Sequence, residues 1–267
     1  MSVAVAALRC HATDAESLRG AEAFAQALGE RLGEDARMIG DAPENAEPTD
    51  FRNDLERGRE CFRRAGDHVG GALAAGDVPV IAASDCSLCM STLAVALRHQ
   101  PDARVLWLDA HGDFNVPATT PSGFLGGMCL AAACGEWDAG VAGEIPTAGL
   151  VLAGVRDLDP EERRMLEGSA AILLSPREGL TDAVVEALGD APVYVHLDVD
   201  VLAPEFAPAR YPAPGGLTPE DLEQLLTAVA EDREIVGAEV TAFDAIDPQT
   251  VLPAVHSLIS RGAHVPG

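Results

Sequence analysis

Residues 104–115 read RVLWLDAHGDFN and residues 192–201 read PVYVHLDVDV. Each begins as an apolar run rich in branched side chains, the signature of a strand buried on both faces. Each then ends in alternating charged residues. Outward from these two, MSVAVAALRC, VPVIAA (78–83), GLVLAGV (149–155), AAILL (170–174) and EIVGAEV (234–240) repeat the apolar pattern. Between them lie segments with apolar positions at helical spacing. These are AESLRGAEAFAQALGERL, stopping near Gly33, then Phe51 to about Ala75, Ser87 to His99, PEERRMLEG, LTDAVVEALG, TPEDLEQLLTAVAED and a last helix. Thr13-Asp14-Ala15-Glu16 fits a capping box with Thr13 at the N-cap, and GDAPENAEPTD is expected to cross the surface as a loop. Strands alternating with helices imply an α/β fold with a parallel sheet of about eight strands. No linker, repeat or low-complexity tract interrupts residues 1–267, which are read as a single domain.

The 267 residues carry 43 Asp and Glu against 18 basic residues, a net charge of −25. Every basic residue is Arg, because Lys is absent. Such a chain lacks the basic face that nucleic acid or an anionic membrane requires. The opening apolar run is too short for a signal peptide or a bilayer span. Six Cys, at 10, 61, 86, 89, 129 and 134, are too sparse for a disulfide scaffold. The expectation is a cytoplasmic protein with reduced thiols.

In open parallel sheets, ligands sit beyond the carboxyl ends of the strands. Three such places carry unusual chemistry. Asp109, His111 and Asp113 follow one strand, and an extended backbone would put them on one side. Asp198 and Asp200 end another and are read as facing one way. Clustered buried carboxylates are costly without partners, and divalent cations would satisfy them together with an imidazole. Oxygen-rich ligation with one His favours Mn²⁺ over Zn²⁺. The third place is Cys86-Ser87-Leu88-Cys89, a C-x-x-C at a strand-to-helix junction. A helix N-terminus would lower the Cys86 pKa and make it a thiolate.

Together these residues resemble the ureohydrolase family of arginases, agmatinases and formiminoglutamases. VLWLDAHGDFN is similar to the family's D-A-H-x-D-x-N signature, HLDVDVLAPEFAP to its second aspartate signature, and IAASDCSL falls where the family has G-G-D-H-S. The resemblance implies a three-layer arginase-like α/β sandwich with an eight-stranded parallel sheet. It also implies a binuclear Mn²⁺ centre whose bridging hydroxide attacks a guanidino carbon. One of the two Mn²⁺ would be held by Cys86, Asp109, Asp113 and Asp198, the other by Asp109, His111, Asp198 and Asp200. Asp113 would also orient the hydroxide and take its proton. Asn115, Ser122 and Asp159 match positions that bind the amino-acid end of the substrate, so the partner is expected to be a small guanidino amino acid. A homo-oligomer is compatible with the sequence.

The departures are informative. Cys86 stands where the family has a His ligand, and Gly126 where it has a proton-shuttling His. Ala242 falls where a Glu grips the guanidinium. Ala203-Pro204 replaces the family's D-P, and Arg210-Tyr211-Pro212 alters its G-T-G-T-P segment. A hydroxyguanidine is much less basic than a guanidinium and would need neither that Glu nor the same shuttle. Within the family, the pattern is similar to the branch that hydrolyses Nω-hydroxy-L-arginine to L-ornithine and hydroxyurea, a step in D-cycloserine antibiotic biosynthesis. The competing readings are a conventional arginase or agmatinase, a non-catalytic metal-binding relative, and a C-x-x-C thiol oxidoreductase. His11, His68, His99, His256 and His264 are read as surface or satisfied residues. His196 is expected on the opposite face of its strand from Asp198 and is not counted as a ligand. Cys129 and Cys134 are read as core.

Overall fold

The computed structural model describes residues 2–11, 14–44, 46–47, 49–141, 143–176, 178–244 and 246–262. The apolar runs form β1 (Val3–Leu8), β3 (Val78–Ala82), β4 (Arg104–Leu108), β5 (Leu150–Ala153), β6 (Ile172–Leu174), β7 (Val193–Asp198) and β8 (Ile235–Thr241). With β2 (Arg37–Ile39) they make one parallel sheet of eight strands in the order β2-β1-β3-β8-β7-β4-β5-β6. β2 is three residues at the sheet edge, too short to show a period in the sequence.

The helices are α1 (Ala15–Leu32), α2 (Phe51–Ala75), α3 (Cys89–His99), α4 (Cys129–Ala133), α5 (Pro160–Gly168), α6 (Leu180–Leu188), α7 (Pro219–Asp232) and α8 (Leu252–Gly262). Strand residues alternate between two cores. Val80, Leu108, Val195 and Val240 pack with Phe24, Val184, Leu226 and Leu258 on one face. Ile81, Trp107, Leu152 and Tyr194 pack with Phe62, Leu93, Leu130 and Leu166 on the other. Burying each such side chain stabilises the fold by roughly 1.5–3 kcal/mol, and the result is three layers, α/β/α.

Three local readings change. Asp14, not Thr13, is the N-cap of α1, its side chain accepting from the Glu16 and Ser17 amides; Thr13 lies outside the described residues. The strands stop earlier than their apolar runs suggest: β4 ends at Leu108, and Val199–Val201 is a turn of 3₁₀ helix. Cys10 and Cys61 are joined in a disulfide, so the thiols are not all reduced; Cys86, Cys89, Cys129 and Cys134 are free. No helix among the described residues is long and apolar enough to cross a membrane.

Candidate active site

Strands β3, β8, β7 and β4 lie side by side at the centre of the sheet and are parallel, so their carboxyl ends open on one crevice. The segments that follow them enclose a cavity of about 250 Å³. Cys86, His111, Asp113, Asn115, Ser122, Asp159, Asp198 and Asp200 all line it, so the residues singled out in the sequence converge there. Asp109 lies beneath, 1% exposed.

Backbone and indole donors fix the orientation of these carboxylates. Asp109 accepts from the His111 amide through Oδ1 (2.7 Å) and from Trp107 Nε1 through Oδ2 (3.0 Å). Asp200 Oδ1 accepts from the Ala110 amide (3.0 Å), and Asp198 Oδ1 from the Asp200 amide (2.8 Å). Their convergence comes from loop geometry rather than from strand alternation. Residues 109–113 leave β4 as an irregular loop in which Asp113 has φ 49°, a left-handed conformation that its neighbours must hold. Gly112 permits the tight path, since a Cβ there would come within 2.6 Å of Leu158 Cδ2.

Electrostatics mark the site. Burial, and then the neighbouring carboxylates, raise Asp113 and Asp198 well above the usual carboxylate range and raise Asp109 as well. Asp200 moves the other way: burial would raise it, but the His111 hydrogen bond and charge hold it down. His111 Nδ1 lies 3.0 Å from Asp200 Oδ2 and 3.5 Å from Asp109 Oδ1. Burial opposes its charge, yet these two carboxylates push its pKa up to about 12. Such a site favours added positive charge. Asp109, His111 and Asp200 offer donor atoms within 4.8 Å of one another, and Cys86 Sγ lies 2.9 Å from Asp198 Oδ2. A donor set of carboxylate oxygens, an imidazole and a sulfur fits divalent cations.

The Cys86 thiol differs from expectation. Burial and the charges of Asp198, Asp113 and Asp109 raise its pKa well above the ordinary thiol value. Cys86 opens a 3₁₀ turn, Cys86–Leu88, that runs directly into α3, and a helix-terminus effect of about 0.3–2 kcal/mol does not offset that burial. Cys86 Sγ donates to Asp198 Oδ2. Cys89 is also free and buried, its thiol raised to about 11 by burial, so the C-x-x-C is not a disulfide.

At the outer end of the cavity, Asn115 Nδ2 donates to Asp159 Oδ2 (3.0 Å), and Thr119 Oγ1 donates to Asn115 Oδ1 (3.0 Å). Asp159 caps α5, and Glu162 closes the capping box by accepting the Asp159 amide. Glu162 also accepts the Phe114 amide (2.9 Å) and lines the cavity; burial raises its pKa to about 7. The spacing of Asp159 and Glu162 carries a capping-box signal that the sequence reading passed over. Phe124 and Tyr211 pack at 5.6 Å along the cavity with Arg210 beside the Phe124 ring, a tertiary cluster with no local signal. Gly126 has no side chain to offer, and a Cβ there would come within 2.4 Å of the Phe124 ring.

Other histidines divide. His11 is a satisfied residue rather than a surface one, buried with Nε2 3.1 Å from Asp85 Oδ2. His68 meets the Ala4 carbonyl, His256 meets Ser260, His99 is exposed, and His264 lies outside the described residues. His196 was expected away from Asp198. The two are two residues apart on β7 and share a face, so His196 is buried behind the carboxylates. Cys129 is core, as expected, but its thiol also faces the site, donating to Asp113 Oδ2 at 3.6 Å.

Residues 15–257 match the family model described as the arginase family. An N(omega)-hydroxy-L-arginine amidinohydrolase of Streptomyces lavendulae is 36% identical over 228 residues, covering 85% of this chain and 83% of that protein. An arginase of Bacillus caldovelox is 30% identical over 239 residues, covering 81% of this chain and 80% of that one. The crystal structure of an arginase from Bacillus subtilis superposes with a TM-score of 0.84 at 25% identity, over 97% of this chain and 98% of that chain.

Proposed function

Since the chain belongs to the arginase family and is a hydrolase acting on guanidino groups, we propose that its substrate is Nω-hydroxy-L-arginine. Water adds to the guanidino carbon, the bond from that carbon to Nδ breaks, and Nδ leaves with a proton. The products are L-ornithine and hydroxyurea. The observation that carries this choice is Ala242, whose methyl group lines the cavity where the family has a Glu for the guanidinium. A weakly basic hydroxyguanidine requires no such carboxylate. The similarity to the Streptomyces lavendulae amidinohydrolase favours the same substrate. The resemblance of the motifs further suggests a role in D-cycloserine antibiotic biosynthesis.

Two Mn²⁺ are the cofactors of this reading, held by Cys86, Asp109, Asp113 and Asp198 and by Asp109, His111, Asp198 and Asp200. When bound, such ions supply Lewis-acid charge and lower the pKa of water towards neutrality. Asp113 is the general base. Its carboxylate lines the cavity, and burial, then the charge of Asp109, raises its pKa well above the usual carboxylate range. The Asn115–Asp159 pair and Ser122 grip the α-amino and carboxylate groups. They line the same cavity as Asp113. The acidic residues lining the cavity apart from the metal ligands, Asp85, Asp157, Asp159, Glu162 and Asp244, favour the substrate's α-ammonium group.

The test is incubation of the Mn²⁺-loaded protein with Nω-hydroxy-L-arginine and mass-spectrometric analysis of the products. Hydroxyurea and ornithine in equal amounts are expected. Ornithine without hydroxyurea, or no turnover, would overturn the assignment.

A further inference from the structure

Strand register lines up three polar side chains behind the carboxylates. β4 pairs Trp107 with His196, and β7 pairs His196 with Glu239. The His196 ring is wholly buried and stacks on Trp107 with centroids 3.5 Å apart and planes 1° apart. His196 Nδ1 donates to Glu239 Oε1 at 2.6 Å. Glu239 is held in turn by Thr92 Oγ1 (2.5 Å) and Tyr194 Oη (3.2 Å), both donating to Oε2. A carboxylate on Nδ1 keeps the proton there and leaves a lone pair on Nε2. His196 Nε2 is buried without a hydrogen-bond partner. A ring nitrogen of His196, Cys86 Sγ and an Asp109 carboxylate oxygen lie within 4.8 Å of one another. With Nδ1 committed to Glu239, Nε2 is the nitrogen free to ligate.

We propose that His196 is a ligand of the divalent ion shared by Cys86 and Asp109, with Glu239 as its positioning residue. The inference rests on the metal-dependent reading of the site. It resolves two oddities together. Residue 86 offers a short thiol rather than an imidazole, and β7 returns an imidazole to the same ion. A buried carboxylate on the apolar strand β8 gains a purpose, because a carboxylate on the far nitrogen orients a ligating His and raises its basicity.

The probe is Co²⁺, titrated into the full chain and followed by proton NMR. A ligating His whose other nitrogen is protonated gives an exchangeable, hyperfine-shifted N–H signal. The His196 signal is expected in the unmutated protein and should vanish in His196→Gln, while the His111 contribution persists. Glu239→Gln should weaken Co²⁺ binding by about 10–100-fold. An unchanged spectrum and affinity in both variants would overturn the proposal. Should the variants fail to fold, isotope-labelled histidine in the unmutated, Mn²⁺-loaded protein decides the matter by electron–nuclear double resonance. Couplings from both His111 and His196 support the proposal, and His111 alone overturns it while leaving the hydrolase reading intact. Failure to bind any divalent ion overturns both.

Discussion

Asp113 and Ala242 are the residues other than glycine with positive φ among those described, at 49° and 63°, and both line the cavity. Left-handed backbone costs a residue with a Cβ roughly 1–2 kcal/mol, so the surrounding fold holds each in place against local preference. At Ala242 that fixed backbone sets what the cavity wall presents. Ala242→Glu is expected to shift the ratio of kcat/KM values towards unmodified arginine by about tenfold, roughly 1.4 kcal/mol, as read by steady-state kinetics on both substrates. Asp113→Asn keeps the shape and removes the base; kcat should fall by about 10²–10⁴, with an unchanged circular dichroism spectrum. The aspartates, His111 and Cys86 were legible because charged residues at the end of an apolar run have few structural uses. His196 departs from expectation because residues 196 and 198 lie on one face of β7. Phe124, Arg210 and Tyr211 meet only through tertiary packing, which no local pattern records.

Among the elements, the strands and long helices were legible from periodicity, and the turns that shape the site were not. Arg156 illustrates the difference. Its guanidinium, just after β5, donates to the carbonyls of Gly154, Asp200, Val201, Leu202 and Ala213, tying the segment after β7 to its neighbours. When the guanidinium is removed, Val201 O keeps the Leu217 amide, and each carbonyl left without a donor costs about 1–3 kcal/mol, so one or two such losses set the scale. Arg156→Met should therefore lower unfolding free energy by about 2–4 kcal/mol in urea titration and reduce metal affinity through Asp200. A second tie joins the segment after β1 to the entry of the 3₁₀ turn. Burial would raise Asp85, but His11 outweighs it and holds the carboxyl down at about 2. Because the folded pKa lies below the ordinary 3.8, this pair stabilises above about pH 4 and its contribution is lost as pH falls towards 2. His11→Ala leaves Asp85 with the Ser87 amide and without its imidazole partner, and should lower the midpoint of thermal denaturation.

For the whole molecule, the charge of −25 and the sheet topology act on different scales. Most of the acidity lies on the surface, where it favours solubility; the few carboxylates gathered by β4 and β7 decide the chemistry. Loading the site should stabilise the fold by mass action, about 4 kcal/mol at a thousandfold excess of ion over Kd. After chelation the pH dependence should take a definite sign. Asp109, Asp113 and Asp198 have raised folded pKa values, and Glu162 is raised to about 7. The folded chain then binds more protons than the unfolded one, so stability falls as pH rises from about 4.5 through 7. Thermal melts of chelated protein across that range should show a falling Tm, and a rising Tm would contradict the burial of those carboxylates. Substrate choice is tested most directly by competition, with Nω-hydroxy-L-arginine and L-arginine in one tube with the Mn²⁺-loaded protein. Hydroxyurea should form faster than urea, with a kcat/KM ratio of at least about ten; a ratio at or below one would contradict the account.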